Sequence, residues 1–94
     1  MISGNLTNTI VPILKRHGVL RASVFGSYAT GSEKPESDLD LRVAFPAGKS
    51  YFDLVELEYD LEKAVGKKVD ILTYNTHLHP IVLENIAKEE IPLF

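Results

Sequence analysis

Apolar and polar positions follow two rhythms along this chain, and the switches between them mark out its helices and strands. From about Asn5 to His17, Leu6, Ile10, Val11 and Leu14 recur at helical spacing, with Lys15, Arg16 and His17 in the last turn and Gly18 as a stop. Pro12 interrupts the run, so the pattern predicts a kink there or a later helix start. Arg21 to Gly26 carries Val24 and Phe25 into a glycine, which reads as a short strand ending in a sharp turn. Thr30 to Ser37, with Gly31 and Pro35, is turn-rich. From Asp38 to Phe45 the period drops to two: Leu39, Leu41, Val43 and Phe45 point to a core, while Asp38, Asp40 and Arg42 point away from it.

The second half repeats the sequence of periods. Ser50-Tyr51-Phe52-Asp53 has the form of a capping box and opens a helix whose Leu54, Leu57, Leu61 and Ala64 make a buried stripe up to Gly66, with Tyr59 assigned to helix packing. Lys67 to Thr73 is a β-rich run in which Val69 and Ile71 oppose Asp70. His79-Pro80 begins a last helix carrying Ile81, Leu83, Ile86 and Ala87 to about Glu89, and the apolar tail Ile91 to Phe94 packs back on the body. The expected fold is α/β (α+β): a small mixed sheet flanked by helices, in the order α-β-α-β-α-β-α.

Ninety-four residues form one domain, 1–94, with no room for a second lobe to grip a large acceptor, so whatever is modified must be held by a partner surface. Thirteen acids against ten bases give a net charge of −3 with no basic cluster, which disfavours direct nucleic-acid binding. The absence of cysteine excludes disulfides and thiolate metal sites. No run of about 18 apolar residues is present, so the chain is expected to be cytoplasmic and not membrane-bound.

The candidate chemistry lies between Gly26 and Asp70. Asp38 and Asp40, at i and i+2 of a strand, share one side of it; at an effective dielectric of 20, like charges about 4 Å apart repel by roughly 4 kcal/mol, which a divalent cation relieves. Oxygen-only ligands suit Mg²⁺, and two ions held by Asp38, Asp40 and Asp70 would orient an attacking hydroxyl and neutralise an α-phosphate. Gly26-Ser27 would receive phosphate oxygens if a helix begins at residue 27. Taken alone, Asp-x-Asp is more often an exposed strand face, and Gly-Ser is common in plain turns. If the first two strands run antiparallel, however, both features fall at the same edge of the sheet. Arg42 shares the acidic face and either contacts phosphate or pairs with an acid, the ion pair being slightly favoured. His77 and His79 read as capping or solvent-facing residues, and Tyr28, Tyr51 and Tyr74 as candidates for stacking on a base.

Phe25-Gly26-Ser27-Tyr28-Ala29, Ser37-Asp38-Leu39-Asp40-Leu41 and Lys68-Val69-Asp70-Ile71-Leu72 together resemble the minimal nucleotidyltransferases, MntA-type antitoxins of the DNA polymerase beta-like superfamily. The resemblance covers nearly the whole chain. It implies Asp38, Asp40 and Asp70 as catalytic metal ligands, Gly26 and Ser27 on the triphosphate, and Mg²⁺ with ATP as cofactor and substrate. It further implies transfer of AMP to a tyrosine of a HEPN-domain toxin, a ribonuclease encoded by the adjacent gene, in a type VII toxin–antitoxin pair. Where the family often has arginine, this chain has Thr30. That departure leaves open a second reading, a catalytically weak nucleotide-binding module that neutralises its partner by steric masking.

Overall fold

The computed structural model describes residues 4–74 and 77–94. The elements are α1 (Gly4–Arg16), β1 (Arg21–Phe25), α2 (Ser27–Thr30), β2 (Leu39–Ala44), α3 (Tyr51–Val65), β3 (Val69–Thr73), α4 (Pro80–Glu89) and β4 (Ile91–Pro92). The strands form one mixed sheet in the order β3-β2-β1-β4, with β2 and β3 parallel and β1 antiparallel to both β2 and β4.

The period-two reading of β2 holds residue by residue. Leu39, Leu41 and Val43 are buried, while Asp40, Arg42 and Ala44 are half-buried on the other side. Against that apolar face, together with Val24 and Val69, pack Ile10 and Leu14 from α1 and Leu57 and Leu61 from α3, all at 0% exposure. Burying each such side chain stabilises the fold by about 1.5–3 kcal/mol, so these four contacts hold both helices to the sheet. At the far end of the interface, His17 Nε2 lies 2.7 Å from Asp60 Oδ2 and ties α1 to α3.

The turns form for identifiable reasons. Ser50 donates its N–H and its hydroxyl to Asp53 Oδ2 at 2.7 and 3.2 Å, and Gly66 ends α3 in the left-handed conformation. The Val69 N–H then donates to Glu62 Oε2 at 2.9 Å, so α3 turns directly into β3. Across the sheet, Leu93 N–H donates to the Ala22 carbonyl at 2.8 Å and the tail becomes the edge strand β4, where Pro92 needs no donor.

Two expectations are corrected. Pro12 starts no later helix: α1 runs through it, with the ring on the exposed side. Ala64 is exposed and Tyr59 is 62% exposed, because the buried stripe of α3 is only as wide as Leu57 and Leu61 require. The last helix opens at His79-Pro80 and ends at Glu89 as expected; on it Leu83 and Ile86 are half-buried and Ile81 is 62% exposed. The tail packs back on the body as expected, with Leu93 and Phe94 against the core, and in doing so Ile91–Pro92 adds a fourth strand beside β1. Among the described residues, no helix is long and apolar enough to cross a membrane.

Candidate functional site

The site begins where β1 stops. Gly26 has φ 71° and ψ −150°, and a Cβ there would lie 2.3 Å from Asp40 Oδ2. Both backbone conformation and space therefore demand glycine. Its carbonyl accepts from the N–H groups of Ala29 and Thr30 at 3.0 and 3.2 Å, which closes the single turn of α2. The amides of Ser27 and Tyr28, in the first turn, are donors that such a helix does not itself consume. The helix start expected after Gly26 is present.

Antiparallel pairing of β1 with β2 sets Phe25 opposite Asp40, so the Gly-Ser turn and the acids meet at one edge of the sheet. On the other side of β2, parallel pairing matches Asp40 with Asp70. Adjacent strands lie about 4.8 Å apart, so two carboxylates in matched register on one face can converge on one ion after modest side-chain rotation. Asp38 stands exposed just before β2, after a turn in which the Lys34 N–H donates to the Ser37 hydroxyl at 2.8 Å.

The electrostatics mark Asp40 as the centre. Its carboxyl is held above the usual carboxylate range, first by burial and then by the charges of Asp70 and Asp38, with Lys68 acting in the opposite sense. Lys68 also sits 3.7 Å from Asp70 Oδ1. Among the described residues, no three His, Cys, Asp or Glu side chains are close enough, as oriented, to form a closed cation chelate. The three aspartates are thus coupled through charge and register while their oxygens stand apart. The donor set fits Mg²⁺: all-oxygen ligands, mutual repulsion that a cation would cancel, and a glycine opposite Asp40 that leaves the approach clear.

The other candidates separate. The Arg42 guanidinium makes an ion pair with Glu90, Nη1 to Oε2 at 3.0 Å, in the manner slightly favoured from the sequence, although its partner is not one of the nearby aspartates. Tyr74 lies between the guanidiniums of Arg21 and Arg42, 4.4 and 4.2 Å from its ring centre, and Tyr28 is buried with the Lys67 ammonium on its ring and hydroxyl. Neither ring is available to a base in this arrangement. Tyr51 is exposed on α3. His79 caps α4, its Nδ1 accepting from the Ile81 N–H at 3.2 Å. The Thr30 hydroxyl turns onto its own turn, 2.8 Å from the Ser32 hydroxyl. A cavity of about 560 Å³, lined by Val43, Phe45, Lys49, Thr73 and Tyr74 among others, opens at the opposite ends of β2 and β3 and contains none of the acids. Glu90 was not singled out from the sequence; its position beside the apolar tail carries no motif.

Residues 8–94 match the family described as polymerase beta nucleotidyltransferase. A Methanocaldococcus jannaschii protein provisionally named a protein adenylyltransferase is 52% identical over 82 residues, covering 87% of each chain. Among solved structures, a chain of a toxin–antitoxin complex with AMP-PNP superposes with a TM-score of 0.80 at 21% identity, over 94% of this chain and 72% of that one. A chain from a complex of the tri-AMPylated HEPN toxin of Shewanella oneidensis with its MNT antitoxin gives 0.73 at 18% identity, over 96% and 70%. At these identities the two superpositions establish a common fold.

Proposed function

The chain belongs to the polymerase beta nucleotidyltransferase family, and from that premise we propose that it transfers AMP from ATP to a tyrosine hydroxyl of a HEPN-domain toxin, acting as the antitoxin of a type VII pair. The observation that carries this reading is the meeting of the Gly26-Ser27 turn with Asp40 and Asp70 at one sheet edge. Support for the donor and the acceptor comes from the names of the relative and of the solved complexes, which speak of adenylyl transfer, an ATP analogue and a HEPN toxin.

In this mechanism Asp40 and Asp70 would hold Mg²⁺ from neighbouring strands, and Asp38 would hold it from the residue just before β2. When bound, Mg²⁺ supplies Lewis-acid stabilisation of charge at the α-phosphate and lowers the cost of the attacking oxygen's deprotonation. Gly26 lets the triphosphate approach the backbone, while the Ser27 hydroxyl and the first amides of α2 donate to phosphate oxygens. The ion pair leaves Arg42 a structural part in this scheme. In this reading the partner supplies the acceptor hydroxyl and its orientation. A cytoplasmic location suits an ATP-dependent reaction of this kind.

The test is incubation with α-labelled ATP, Mg²⁺ and the HEPN protein encoded beside this gene, using the parental chain and Asp38→Asn/Asp40→Asn. The parental chain should label the toxin, and the variant should lose at least about 10²–10³-fold in rate while keeping its fold, because both side chains lie off the core face. Undiminished labelling by the variant would refute the assignment. Neutralisation of the toxin by that variant, without labelling, would select steric masking instead.

A further inference from the structure

Arg42 follows Asp40 by two residues on the same face of β2. That spacing is roughly 6.6 Å along a strand, which an arginine side chain can span. A guanidinium free to do so would pair with the acids and oppose cation binding. The structure holds it elsewhere: Arg42 Nη1 donates to Glu90 Oε2 at 3.0 Å, and both side chains are only 14% exposed. The other Glu90 oxygen lies 3.1 Å from the Ser23 hydroxyl and 3.4 Å from the Tyr74 hydroxyl, which are themselves 2.7 Å apart, so the carboxylate meets a hydroxyl pair on one side and Arg42 on the other. Ser23 is itself the register partner of Arg42 on β1 and is 2% exposed. Arg42 Nε is buried without a hydrogen-bond partner, so the grip on the guanidinium comes from Glu90 and from the Tyr74 ring beneath it.

We infer that Glu90 is a positioning residue for the transfer reaction: by holding the Arg42 guanidinium, it keeps Asp40 unpaired and open to a divalent cation. This rests on the metal-binding reading of those acids. Glu90 acts through Arg42 and touches neither the acids nor the phosphates.

The experiment compares Mn²⁺ binding by isothermal titration in the parental chain, Glu90→Gln, and Glu90→Gln/Arg42→Met, with circular dichroism as the check on folding. Glu90→Gln should bind Mn²⁺ roughly fivefold more weakly, the factor expected for a newly formed, partly exposed ion pair. The double variant, which has no guanidinium to release, should return to parental affinity. In transfer assays the metal requirement of Glu90→Gln should rise more than kcat falls. A crystal structure of Glu90→Gln should show Arg42 hydrogen-bonded to Asp40. Parental Mn²⁺ affinity in Glu90→Gln overturns the inference, as does equal weakening in both variants, which would mark a merely structural role. Failure of the parental chain to bind Mn²⁺ would refute the metal reading itself. The position of Arg42 in the Glu90→Gln structure then decides the inference, which falls if the guanidinium still lies against residue 90.

Discussion

Asp40 and Arg42 stand two residues apart on one strand face, yet their surroundings are opposite. Around Arg42, a carboxylate, two hydroxyls and an aromatic ring form a half-buried polar cluster in which the ion pair is balanced. Around Asp40, the charges of two further carboxylates add to its own beside a glycine, and the exposed Lys68 acts in the opposite sense. The first cluster fastens the C-terminal segment to the sheet. The second stores unbalanced negative charge at the sheet edge, an arrangement that favours binding a cation over stabilising the fold. One strand thus carries two opposite arrangements of charge within a single turn of the pleat.

That contrast predicts where substitutions cost stability. Arg42→Met leaves Glu90 buried without its cation and should cost about 3 kcal/mol in urea unfolding, whereas Glu90→Gln/Arg42→Met should recover most of it. Equal losses in both would mean that the cluster is held by packing alone. Gly26→Ala should cost about 1–3 kcal/mol, from the positive φ and from a methyl group forced against Asp40, and should weaken ATP binding measured by titration. An Ala variant that binds ATP normally would show the turn to be an ordinary one.

On the acidic side the expected effect is smaller and has the opposite sign. Because the folded state raises the Asp40 pKa, ionising this group destabilises the fold as pH rises above about 4, the ordinary carboxylate value. Asp40→Asn should therefore be more stable than the parental chain at pH 7, by less than about 1 kcal/mol given its partial exposure, with the difference vanishing below about pH 4. Asp53 and Asp60, whose pKa values are lowered, act in reverse: the stability they add is present above their unfolded values and lost in acid. Thermal melts of the parental chain and Asp40→Asn across pH separate the two contributions. The smallest change is expected at Tyr59, where substitution by Ala should shift unfolding by no more than about 0.5 kcal/mol because the ring is exposed.

Much of this was legible in the chain itself. Alternation over Asp38 to Phe45 announced β2 and its two faces, because a strand's period of two leaves little ambiguity when one face is apolar. Ser50 with Asp53, and Gly66 at the far end, bounded α3 through local hydrogen bonds that involve only near neighbours. The acids and the Gly-Ser turn were visible, whereas the register that pairs Asp40 with Asp70 was not, since it depends on a parallel pairing made across the whole of α3. Glu90 was missed for the same reason: its partner lies 48 residues away. The two-residue β4, containing a proline, carries too little pattern to be read as a strand. On α3 the apolar residues outnumber the positions the core can accept, so Tyr59 and Ala64 were assigned inward although they lie outside.

The central claim is that Asp38, Asp40 and Asp70 gather a divalent cation against a triphosphate seated on the Gly26-Ser27 turn. A crystal structure with Mn²⁺ and a non-hydrolysable ATP analogue, phased to reveal manganese by anomalous scattering, tests it most directly. The account predicts manganese peaks about 2.2 Å from oxygens of these aspartates, with phosphate oxygens at the α2 N-terminus. Nucleotide seated in the cavity by Phe45 and Tyr74, with no manganese at the three acids, would contradict it.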